Sequence, residues 1–233
     1  ITGAVARDDQ DWLADYFGLP TDFETSVCFN PRISNFLVDL DLFIGFDSCF
    51  DCWDGFWFRI HAPVVYTKWE LCMSESGTVE GVNDFAMGYM ASTTVLRADL
   101  PKTFKEAVDG TRTWGDMQEA LKYDKMDSCA HTETRLSEVH LEFGWDFWQC
   151  EENNMGIALL VGLPTGNKPC PDYLFAPVVG NGGHFELGVL MRGNGRLWTC
   201  TDEESRLDLY CEGKAAHLFK RKMWRSFDLR DKP

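Results

Sequence analysis

Residues 139–149, VHLEFGWDFWQ, carry Val139, Leu141, Phe143, Trp145 and Phe147 at odd positions and His140, Glu142, Gly144, Asp146 and Trp148 at even ones. Strict alternation is the pattern of a β-strand with one apolar and one polar face. In a soluble sandwich the apolar face meets a core and the polar face meets water. In a membrane barrel the apolar face meets lipid and the polar face lines a lumen. Which arrangement holds decides what the protein does.

The same alternation runs through the rest of the chain. In 33–47, ISNFLVDLDLFIGFD, Phe36, Val38, Leu40, Leu42, Ile44 and Phe46 share a phase against Asn35, Asp39, Asp41 and Asp47, with Leu37 and Phe43 as exceptions. After a turn, FWFRIHAPVVYTKWEL (56–71) sets Phe56, Phe58, Ile60, Ala62, Val64 and Tyr66 against Trp57, Arg59, His61, Thr67 and Trp69. Together these predict a long antiparallel hairpin. Pro63 cannot donate to a ladder, so a β-bulge is expected beside it. A second hairpin spans 133–163, with Glu138 joining the polar phase of His140, Glu142 and Asp146, a turn at EENN and a return through MGIALLVGL. A third spans 184–219. There Phe185, Leu187, Val189, Met191 and Leu197 oppose Glu186, Arg192, Asn194 and Arg196. Beyond CTDEES, Leu207, Leu209, Cys211, Ala215 and Phe219 oppose Arg206, Asp208, Glu212 and Lys214.

Three features separate these strands from those of an ordinary sandwich. They are long, against the roughly 5 to 6 residues common in globular proteins and the roughly 9 to 11 a membrane strand needs. Aromatic residues gather near strand ends, at Trp53, Phe56, Trp57, Tyr66, Trp69, Phe147, Trp148 and Trp198, where rings favour the headgroup level. The apolar faces also avoid charge, while the opposite faces mix both signs. The connections are unequal: short turns at one end, long excursions at the other. Residues 72–132 include two expected helices, Pro101–Val108 and Thr113–Tyr123, the latter opened by a Thr-x-x-Asp capping pattern. These form a helical insertion at about 98–125 that could fold into the mouth. The fold class expected is all-β, an antiparallel up-and-down transmembrane barrel in a single domain. Its lumen would be lined by Asp39, Asp41, Arg59, His61, Glu138, His140, Glu142, Asp146, Glu186, Arg192, Arg196, Asp208, Glu212 and Lys214. On this reading an arginine in place of Glu142 is tolerated, whereas one at Phe143 or Leu187 is not.

Composition narrows the function. Thirty-seven acidic and 22 basic residues give a net charge of −15, which argues against nucleic acid, since phosphate binding needs a basic footprint. No run of 18 apolar residues occurs, which argues against a membrane helix. No signal peptide precedes Ile1, so the chain reads as mature, trimmed or a fragment. The nine cysteines suit an oxidising compartment with some disulfides, and the odd count leaves at least one thiol free or shared between chains. Cys49 and Cys52 have the spacing of half a zinc site, but no second half exists, so no metal or cofactor is expected. If the hairpins are as drawn, Cys49, Cys52, Cys150 and Cys200 share one acidic rim, where they are candidates for crosslinks between barrels. No G-x-S-x-G, H-E-x-x-H or G-x-G-x-x-G is present. The carboxylates of 138–146 could serve a glycosidase, but a wall of paired charges is the simpler reading, and no enzyme activity is expected.

The stretches DWLADYFGLPTDF, FRIHAPVVYTKWEL, WGDMQEALKY, FAPVVGNGGHFELG and HLFKRKMWRSFDL resemble a family of predicted outer-membrane β-barrel proteins from intracellular, amoeba-associated bacteria of the Dependentiae type. The resemblance spans nearly the whole chain in the same order. It implies outer-membrane location and barrel architecture and supplies no catalytic residue. It also implies further strands beyond RSFDL, so that Leu229–Pro233 reads as a truncation point. This chain is richer in cysteine than the family pattern. A looser likeness, by analogy only, is to the chlamydial major porins. The expected function is a porin-like passive diffusion channel, a structural envelope protein, or both. Its expected partners are the lipid bilayer, small hydrophilic solutes and other copies of itself. A secreted all-β carbohydrate-binding protein or glycosidase, and a surface-lattice or coat protein, are the alternatives.

Overall fold

The alternating stretches form strands close to where the pattern sets them. In the computed structural model, which describes residues 1–4, 7–46, 54–85, 97–115, 117–200 and 205–224, the first hairpin is a double ribbon. It comprises β1 (Glu24–Phe29), β2 (Arg32–Gly45), β3 (Phe56–Glu70) and β4 (Met73–Val79). Phe29 faces Met73 and Arg32 faces Glu70, so β1–β4 continues the register of β2–β3 across a break. Pro31, which has no donor, and Cys72, at φ 48°, interrupt the ladder there.

Five further strands complete the architecture: β5 (Ala130–Leu136), β6 (Val139–Gln149), β7 (Asn153–Leu163), β8 (Glu186–Thr199) and β9 (Arg206–Leu218). All pairings in the main sheet are antiparallel, in the order β2-β3-β6-β7-β8-β9, with β5 sharing the flank of β3. The fold is all-β with very little helix, and the sheet curls into a half-barrel. Among the described strands, β2 and β9 each pair on one side only.

Bulges explain where the polar and apolar phases change. Leu136 faces Val64 and Leu141 faces Ile60, so the β5–β6 chain holds one residue more than β3 across this stretch. The Ser137 amide donates to the Pro63 carbonyl at 2.8 Å. The bulge expected beside Pro63 therefore lies in the partner strand, on the side where proline lacks its donor. Two more bulges lie near the short turns, between Trp145 and Trp148 on β6 and between Arg196 and Trp198 on β8. Each adds one residue and reverses the facing of the residues beyond it. Trp148 thus joins Met155, and Trp198 joins Leu207, on the apolar face.

Beyond the opposite end of the ribbon sits a small cap with its own dense core of Ala14, Leu19, Phe23, Met73, Phe104, Ala107 and Val108. Helix α1 (Phe104–Val108) begins at Thr103, whose hydroxyl accepts from the Glu106 amide. The Glu75 carboxylate accepts from the amides of Phe104 and Lys105. The helix is thus shorter than the expected Pro101–Val108 and packs in the cap. The expected helix Thr113–Tyr123 does not form. Gly115 takes φ 60°, outside the right-handed helical region. Trp114 instead inserts against Gly18, its indole donating to the Ala107 carbonyl at 3.0 Å. Asp116 lies outside the described residues.

Candidate functional site

Facing is settled by contacts that a flat sheet could not make. Strands four positions apart stand about 19 Å from each other in a flat sheet. Yet the Arg192 guanidinium of β8 lies 5.4 Å from the Phe43 ring of β2. Lys214 of β9 likewise reaches His140 of β6, three positions away, at 3.4 Å. The polar side chains therefore occupy the concave face. The strand registers put Asp39, Asp41, Arg59, His61, His140, Glu142, Glu186, Arg192, Arg196, Asp208, Glu212 and Lys214 on that face. Asp146 joins it through Arg192, and Glu138 through its proximity to His140 and Lys214.

The concave residues fall into tiers. Nearest the short turns, Arg196 bridges Glu152 and Asp208. Next, Arg192 binds both carboxylate oxygens of Asp146, at 3.2 and 2.7 Å, and lies 3.9 Å over the Trp57 ring. Trp57 donates its indole N–H to Asp146 at 3.1 Å and stacks on Phe43. Midway, Arg59 is hydrogen-bonded to Asp41 at 2.8 Å and lies 3.6 Å from Glu142, while Tyr210 donates to Glu212. Nearest the long loops, His61 pairs with Asp39 at 2.8 Å and stacks on His140. Lys214 meets Glu186 at 2.8 Å. Glu138 accepts from the Ser137 hydroxyl beneath Gly180. Residues 164–185 close over this end, where Phe175 packs against Trp69. That loop, rather than the Pro101–Tyr123 segment, meets the concave side chains.

Burial is inverted relative to a water-soluble sheet. On β7, Leu160 of the concave face is 0% exposed and its neighbour Leu159 of the convex face is 51% exposed. On β6, Glu142 is 5% exposed and Phe143 is 41%. On the central strands the charged face is therefore packed and the apolar face open, whereas both faces of the edge strands β2 and β9 are exposed. Against the expectation of a water-lined position, Glu142 is buried beside Arg59, so an arginine there would bring two cations together in a packed site. Burial corrects the assignment of two aromatics to the rims. Trp57 is nearly fully buried, and Trp69 packs under a loop. The convex face nevertheless carries an aromatic band near the short turns, with Phe56, Trp145, Phe147, Trp148 and Trp198. A second band near the long loops holds Tyr66, Phe185 and Phe219. Phe56 and Tyr66 lie ten residues apart on β3. At roughly 3.3 Å per residue that is about 33 Å along the strand, or about 25 Å of depth at a tilt of roughly 40°.

Sequence reasoning misses what fills the concave side. Phe43 reads in the sequence only as an apolar exception in a polar phase, and it is one wall of the Arg192 tier. Gly144 and Gly156 make room for that tier, since a Cβ at either would fall within the Trp57 ring or on the Asp146 carboxylate. Cys150 and Cys200 lie at the short turns as expected and are free thiols, and no disulfide occurs among the described residues. Cys49 and Cys52 lie outside them. Among the described residues no helix is long and apolar enough to cross a membrane, and no cluster is arranged to hold a metal ion. In comparisons with protein-family profiles and with curated proteins, nothing matches the chain.

Proposed function

We propose that the chain forms the wall of a transmembrane β-barrel in a bacterial outer membrane and serves the envelope chiefly as a structural, membrane-anchored protein. The observation that carries this reading is the inversion at Leu159 and Leu160. Large apolar side chains on the convex face of β2, β6, β7, β8 and β9 are 39–66% exposed, while Glu142, Asp146 and Glu186 lie buried on the concave face behind the central strands. A soluble monomer rarely exposes an apolar patch beyond about 300–600 Å², and hydrocarbon is the solvent that this face fits. The paired aromatic bands and their roughly 25 Å separation support the same orientation. The dense ion pairing of the concave face favours a structural role over an open diffusion channel. It also engages Asp39, Asp146, Glu138 and Glu186 with cations or hydroxyls, while the buried Glu142 Oε2 lies 3.6 Å from Arg59 without a hydrogen bond.

The experiment is refolding from urea with and without lipid. The expected result is folded protein only with detergent or vesicles, floating with the vesicles in a density gradient. A folded, monomeric protein in buffer alone would overturn the proposal and favour the secreted or coat-protein alternatives.

A further inference from the structure

The tier that crosses the concave face has the form of a seal. Arg192 is held on its edge by both oxygens of Asp146 and on its face by Trp57, with Phe43 beyond. We infer that the interior is closed to ions and that the Asp146–Arg192 pair, wedged between Trp57 and Phe43, is what closes it.

This rests on the membrane reading above and goes beyond it. A cation held only by water in an open lumen would leave its charge solvated and its side chain mobile. Here the guanidinium has exchanged water for a carboxylate and an indole face, a fixed geometry that arginine suits better than lysine. The wall is shaped for it, because Gly144 and Gly156 withhold side chains where the indole and the carboxylate sit. The cluster runs from edge strand β2 to β8, next to the other edge. At this level the cluster bridges the concave face of the half-barrel from β8 across to Phe43 on β2, which is itself 51% exposed.

The test is conductance in a planar bilayer, with flotation on vesicles measured for each protein. The wild type should float and pass no current. The paired variant Asp146→Ala/Arg192→Ala removes both charges together, so no lone buried charge remains to unfold it. It should float equally and open in discrete current steps. Phe43→Ala, on the exposed edge strand, removes one wall of the wedge without altering charge and should give smaller steps. A wild type that floats and conducts as freely as the variants overturns the inference while leaving the membrane reading intact. So do floating variants that stay silent. A wild type that does not float overturns the membrane reading, and this inference with it.

Discussion

Arginine scanning on the convex face separates a lipid-facing from a water-facing sheet by magnitude. Leu159 stands near the middle of the eleven-residue β7 and is 51% exposed. If water covers it, Leu159→Arg should change stability by no more than about 0.5 kcal/mol, as exposed substitutions generally do. If lipid covers it near the bilayer midplane, the same change should cost about 2–4 kcal/mol. Phe143 on β6 and Leu187 on β8 share the face and should behave alike, with Leu187, nearer a strand end, at the lower limit. The assay is a urea titration of folding into vesicles, followed by tryptophan fluorescence and fitted for each variant. Losses below about 0.5 kcal/mol at all three positions would refute the inverted-sheet reasoning.

The interior, the cap and the rim each give a further prediction. Removing either partner of the Asp146–Arg192 pair should cost about 3–5 kcal/mol by stranding a buried charge. Removing both should cost clearly less than the sum, a coupling that a double-mutant cycle measures. In the cap, burial pushes the Asp15 carboxyl above its ordinary value, with Arg7 partly opposing, and its buried Oδ1 has no hydrogen-bond partner. The native state therefore holds this proton more tightly than the unfolded chain. Stability falls as pH rises from the ordinary carboxylate range through the raised value. Asp15→Asn should remove that dependence and stabilise the protein at neutral pH, read from unfolding midpoints across acid to neutral pH. At the short-turn rim, Cys150 and Cys200 are free to crosslink with neighbouring copies. Non-reducing gels of intact cells should show ladders that vanish when Cys49, Cys52, Cys150 and Cys200 are all serine. Monomer alone, with those thiols alkylated, would contradict it.

Alternation makes the three long hairpins and the polar face legible, because a period of two assigns each side chain to a face once a strand is recognised. It cannot reveal what the curl does. Whether Arg192 meets open water or Phe43 depends on the radius of the sheet, a property of all its strands together. Local bulges also escape it, so Trp148 and Trp198 fall in a phase that one extra residue reverses. The cap is illegible for a different reason. Its core joins Ile1, Phe23, Met73 and Phe104 from distant segments, none of them long enough to show a period. The Thr-x-x-Asp pattern at Thr113 loses to the positive φ of Gly115 and to the packing of Trp114 against the cap core.

Cys211 offers the most direct test of the central claim, that lipid covers the convex face. It lies mid-strand on β9, opposite Gly193 and in phase with Leu207 and Leu209. A chain retaining only this cysteine can carry a nitroxide label there after reconstitution in vesicles. Collision rates with dissolved oxygen, which concentrates in hydrocarbon, should exceed those with a water-soluble nickel chelate. A label relaxed chiefly by the nickel chelate would place water on this face and contradict the account.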